Sequence, residues 1–133
     1  MAAIRIRGTW QLTLSRYQKG ALSLESNAES VLDVTSATRA GVEGELGLFH
    51  EKIPVRGKVK PGSPAVVTLQ EISTSGEPVK DGLEAMLYIP PWWPNIDYSY
   101  DFITGTIVVG PGSMVATKNT IGSLILVSGV QPF

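Results

Sequence analysis

From residue 4 to residue 15 the chain alternates without a break. Ile4, Ile6, Gly8, Trp10, Leu12 and Leu14 fall on one face, and Arg5, Arg7, Thr9, Gln11, Thr13 and Ser15 fall on the other. A period of two belongs to an extended strand with one face in a core and the other in water. A helix would scatter the same apolar residues around its axis, so this stretch is predicted as a long strand.

The alternation recurs along the chain. Residues 17–20 read as a turn, and Leu22 and Leu24 open a second strand. A third covers residues 30–36, with Leu32 and Val34 opposite Asp33 and Thr35, although 28–32 also suits a short helical turn. The fourth spans 41–50, where Gly44, Leu46, Leu48 and His50 share a face against Glu43, Glu45 and Phe49. Ile53, Val55, Gly57 and Val59 then alternate with Pro54, Arg56, Lys58 and Lys60. Residues 65–72 are apolar on both sides, the pattern of a strand covered on both faces. Residues 73–82 are polar and read as a connection before Leu83, Ala85, Leu87 and Ile89 resume the period. Pro90 and Pro91 stop it, because proline offers no backbone donor to a neighbour. Strands over 98–109, 114–117 and 123–130 complete the series, with Gly110, Pro111 and Gly112 as a turn.

About nine or ten short strands at regular spacing, with no sustained helical period, indicate one all-β domain. Its 133 residues suit a single domain over 1–133 that buries enough surface to need no covalent staples. An antiparallel β-barrel or a β-sandwich of about nine strands, with little helix, accounts for the pattern. Three strands carry an internal glycine, in IRGTW, VRGKV and ITGTI. Such glycines mark bends or close backbone approaches, and closed barrels need bent strands.

Gly8-Thr9-Trp10 resembles the GxW opening of the calycins, the lipocalin-like barrels. The resemblance implies that Trp10 closes one end of an antiparallel barrel around an apolar cavity. It also implies a basic residue from the last part of the barrel packed on that Trp. The final predicted strand carries no Arg or Lys, and the nearest candidate is Lys118, before it.

Several function classes lose support from composition. The chain has no cysteine, which removes disulfides, thiolate nucleophiles and cysteine metal sites. His50 is the only histidine, so a multi-histidine metal site within one chain is excluded. Eleven basic against 12 acidic residues give a net charge of -1, without the basic excess of a nucleic-acid binder. The N-terminus has no continuous apolar core and no stretch is long enough for a membrane helix. The expectations are a soluble protein, cytoplasmic or else a mature chain without its leader, with no nucleic-acid or membrane partner, no cofactor and no metal.

Catalytic signals are sparse. His50 in LFHEKI is a candidate general base, or a plain strand residue near a sheet edge; its neighbour Glu51 points to the other face of an extended chain. Glu43 and Glu45 share a face, about 7 Å apart, as a carboxylate pair or as the wet side of a strand. Asp97 and Asp101 flank an aromatic stretch. Residues 110–113 lack the lysine of a phosphate-binding loop, and GSPAV lacks the setting of a nucleophile elbow.

The stretch 88–102, YIPPWWPNIDYSYDF, holds six of the chain's ten aromatics in fifteen residues. Adjacent Trp92 and Trp93 on an extended, proline-stiffened segment face opposite ways, so one is available to a partner or ligand. A plug over one end of the domain is the competing reading. The candidate ligand- or partner-binding residues are Tyr88, Trp92, Trp93, Tyr98, Tyr100 and His50. The expected function is non-catalytic binding of a small apolar or aromatic ligand in or at the mouth of the barrel, with homo-oligomer formation compatible. The alternatives are a module self-associating through 88–102 and a small hydrolase or isomerase using His50.

Overall fold

The computed structural model describes residues 6–17, 24–38, 41–48, 51–62, 65–89, 100–116 and 124–132. The described part is all-β: eight strands run in chain order, each antiparallel to the next, and β1 pairs with β8 to close a barrel. The strands are β1 (Gly8–Tyr17), β2 (Leu24–Thr38), β3 (Gly41–Leu48), β4 (Glu51–Lys60), β5 (Ala65–Glu71), β6 (Glu84–Ile89), β7 (Tyr100–Val108) and β8 (Leu124–Pro132). The barrel, not the sandwich, is the outcome of the alternation.

Where the count differs from about nine, the reasons are local. The predicted second and third strands are one 15-residue strand, β2, whose pairing steps across irregularities opposite Thr13/Ser15 and at Val34/Ser36. The suggested helical turn at 28–32 is extended chain, because Glu29, Ser30, Val31 and Leu32 pair in register with Thr13, Leu12, Gln11 and Trp10. Of the strand expected over 114–117, Met114 and Val115 lie in turns, Ala116 is in no strand, and Thr117 lies outside the described residues. Ile6 and Arg7 precede β1, which begins at Gly8 with φ of +113°, while Ile4 and Arg5 lie outside the described residues. β5 is not covered on both faces: Ala65, Val67, Leu69 and Glu71 point inward, while Thr68 and Gln70 are exposed.

The inward faces make one continuous apolar core. Trp10, Leu12, Leu32, Leu46, Ile53, Ile103, Ile107 and Ile125 are among its fully buried members. Two of the strand glycines are required by the curvature. A Cβ on Gly57 would run into the carbonyl oxygen of Thr68, and one on Gly105 into that of Met86. Both occupy inward positions of strands that bend tightly against their neighbour, as barrel closure demands.

The described contacts at the two ends differ. At the N-terminal end, the buried Trp10 Nε1 donates to the Ile6 carbonyl at 2.8 Å. The Gln131 amide on β8 donates to the Arg7 carbonyl at 2.8 Å and links the last strand to the N-terminal segment, while Lys118, the basic candidate, lies outside the described residues. At the opposite end, the connection between β5 and β6 folds back through an Ile72–Pro78 bridge. There the buried Glu71 carboxylate accepts the Leu83 N–H at 2.9 Å on one oxygen and the Met114 N–H at 3.0 Å on the other. One side chain thus ties the β5–β6 connection to the segment after β7. No helix among the described residues is long and apolar enough to cross a membrane.

Candidate functional site

The six residues singled out from sequence fall in different places. Tyr88 is on the outer face of β6, half-buried, with its hydroxyl donating to the Met86 sulfur at 3.2 Å. Tyr100 opens β7, its backbone paired with Pro132. Trp92, Trp93, Tyr98 and His50 lie outside the described residues. The strand ends on either side of the aromatic stretch, Ile89 and Tyr100, are at the N-terminal end of the barrel. Leu48 and Glu51, which flank His50 in sequence, are at the other end. A ten-residue strand such as β4 separates the two ends by about 30 Å along the chain at roughly 3.3 Å per residue.

Two concavities lie on the outer wall of the barrel. One groove of about 510 Å³ crosses β4 to β7 and is lined by Lys58, Thr68, Gln70, Met86, Thr106 and Val108. Register explains the grouping. Lys58 pairs with Thr68, Thr68 with Met86 and Met86 with Thr106, so four outward side chains stand in one row across four strands. The next row toward the Glu71 end is Arg56, Gln70, Glu84 and Val108. Met86 and Val108 are 44% and 46% exposed, large apolar side chains on faces that otherwise meet water. Lys58 is exposed and carries no ion pair among the described residues.

A second groove of about 420 Å³ adjoins the first across β4, with Ser36, Thr38, Glu43, Arg56 and Pro78 on its walls. Arg56 borders both. Its Nε donates to Glu43 Oε1 at 3.1 Å and a terminal guanidinium nitrogen donates to the Gly76 carbonyl at 3.1 Å. The fork is thereby held in place between the two grooves. Among the described residues, no group of three or more His, Cys, Asp or Glu could hold a metal ion.

Sequence reasoning passed over Met86, Val108 and Glu71. The signal for the first two is an apolar residue on the polar side of the alternation: Met86 between Glu84 and Tyr88, and Val108 after Thr104 and Thr106. For Glu71 it is the reverse, an acid in phase with Ala65, Val67 and Leu69. No family model, no curated protein and no solved structure matches the chain.

Proposed function

We propose that this chain is a non-catalytic binding protein of calycin-like build whose ligand rests on the outer wall of the barrel, in the groove over β4 to β7. The observation that carries the reading is the row Lys58–Thr68–Met86–Thr106 with Val108 beside it. It offers an apolar floor, two hydroxyls and the Lys58 ammonium, which makes no ion pair among the described residues, with Glu84 and Arg56 in the next row, in a groove of about 510 Å³, within the size range of small-molecule sites. Methionine suits such a floor because its unbranched, polarisable side chain adapts to varied shapes. The chemistry fits a small amphiphile: an apolar body over Met86 and Val108, and an anionic head at Lys58. A ligand in the lumen would have to displace part of a continuous core of Leu, Ile and Val side chains. The outer groove asks for no such rearrangement.

Binding of an anionic amphiphile such as anilinonaphthalene sulfonate, followed by its fluorescence and by competition with fatty carboxylates, tests the reading. Met86→Glu and Lys58→Glu each introduce an acid where the ligand would lie, and each should weaken binding by about tenfold or more. Both positions are exposed, so the melting temperature should hardly move. Binding that survives both substitutions, or no binding by the wild type, would show that the groove is not the site.

A further inference from the structure

The charges on the wall beside that groove are sorted by strand. On β3 the outward side chains of Glu43 and Glu45 are acidic, and Asp33 on β2 pairs in register with Glu45. On β4 the outward positions are Lys52, Pro54, Arg56, Lys58 and Lys60, four of the five basic. An acidic ridge and a basic ridge therefore run side by side, one strand spacing of about 4.8 Å apart. They neutralise each other at one place only among the described residues, the Arg56–Glu43 pair. Pro54 stands opposite Glu45 and Gly47 stands opposite Lys52, so neither charge meets a partner across the ladder. Glu45, Lys52, Lys58 and Lys60 are all exposed and make no ion pair among the described residues.

We infer that this ridge pair is a self-complementary contact surface and that its partner is a second copy of the same chain. A two-fold axis lying between β3 and β4 and parallel to them brings the acidic ridge of each copy onto the basic ridge of the other. Because a two-fold contact is reciprocal, every favourable pairing is made twice. In that arrangement Glu45 faces the level of the partner's Pro54, between the partner's Lys52 and the partner's Arg56. An axis perpendicular to the strands would set acid on acid and base on base, which costs several kcal/mol where like charges meet. The charge pattern thus selects one orientation of the dimer as well as the surface.

The same geometry sets the strength. Barrel strands tilt by roughly 35–45° from the barrel axis, so two barrels related this way cross at roughly 70–90° and touch over a limited patch. Exposed ion pairs add little each and are screened by salt. The dimer is accordingly weak, and its signature is dependence on ionic strength.

Sedimentation equilibrium of the intact chain tests this at about 0.01 M and about 1 M salt, where the screening length falls from about 30 Å to about 3 Å. A dimer at low salt that dissociates at high salt is expected. Glu45→Lys and Lys52→Glu should each be monomeric, with self-association weakened by about tenfold or more. An equimolar mixture of the two variants should dimerise again. One half of the mixed interface then joins the two reversed side chains, an ammonium to a carboxylate, and the other half keeps the native pair of Glu45 with Lys52. Both changes replace exposed side chains, and unchanged circular dichroism confirms that the fold is kept. A wild type that stays monomeric at low salt up to about 1 mM overturns the inference. So does a salt-insensitive dimer, a variant that dimerises alone, an open polymer, or a mixture that stays monomeric.

Discussion

Replacing Glu71 should open the end of the barrel farther from the N-terminus, and the size of the effect follows from two hydrogen bonds. The Glu71 side chain is buried, and its two oxygens accept the N–H groups of Leu83 and Met114 at 2.9 and 3.0 Å. Leu83 is itself fully buried, so water is a poor substitute for the lost acceptor. Leaving a buried donor unpaired costs about 1–3 kcal/mol. Glu71→Ala removes both acceptors, one from the buried Leu83 donor and one from the part-buried Met114 donor, for a loss of roughly 2–4 kcal/mol from a domain stability of about 5–15 kcal/mol. Glu71→Gln keeps one acceptor oxygen and turns an NH₂ group toward the other N–H, for about 1–3 kcal/mol. Urea unfolding should rank wild type above Gln and Gln above Ala. Hydrogen exchange should show the Leu83 and Met114 amides losing protection first, because the β5–β6 connection and the segment after β7 are released together. A Glu71→Ala protein within about 0.5 kcal/mol of wild type, with both amides still protected, would refute the clasp.

Other consequences are as direct. Gly57→Ala should destabilise by about 1–3 kcal/mol or abolish soluble expression, since the new Cβ meets the Thr68 backbone. Gly47→Ala, whose nearest neighbour would be the Val31 carbonyl oxygen at 3.4 Å, should stay within about 0.5 kcal/mol in the same thermal melts. Trp10→Ala should cost about 3–5 kcal/mol, because the indole is fully buried and holds the Ile6 carbonyl. A Trp10→Ala protein that melts like wild type would place the indole outside the core.

The parts of this fold that could be read in the sequence are those set by neighbouring residues. The wet and dry faces of β1, β3 and β4 follow from alternation alone: Trp10, Leu12 and Leu14 inward, and Lys58 and Lys60 outward. Barrel and sandwich share that alternation. What separates them is the pairing of residues 11–17 with 124–130, between opposite ends of the chain, and no local pattern encodes it. Glu71 was hidden because Val66 and Ile72 are partly buried as well, which made the run look apolar on both sides. The aromatic stretch drew notice by composition, yet its one member with a described side chain among the candidate residues, Tyr88, stands on the outer wall. The groove beside it depends on Met86 and Val108, single apolar residues brought near Lys58 only by the register of four strands.

Closure itself narrows how a barrel of this kind can recognise anything. Each of the eight strands has a neighbour on both sides, so the described sheet offers no open edge. Recognition by strand addition, which needs unpaired backbone donors and acceptors along an edge, has no place to start. The inward positions are committed to the core. One end is tied by Trp10 and Gln131, and the other by Glu71. An eight-stranded barrel is about wide enough for its own side chains, which here fill its interior. Side chains standing outward on the wall are then the chemistry left to the described surface. They are not uniform: β3 and β4 carry charge in opposite ridges, while β5 to β7 present Thr68, Met86, Thr106 and Val108 with Glu84 as the one acid on their described outer faces. The two surfaces meet at Lys58 of β4, which belongs to the basic ridge and to the groove, so residues away from it, Glu45 and Met86, are the ones that tell the two contacts apart. Charge reversal at Glu45 should therefore alter self-association without altering amphiphile binding, and Met86→Glu should do the opposite. If either substitution abolished both, the two surfaces would be one site, and the division of the wall by strand would have no functional meaning.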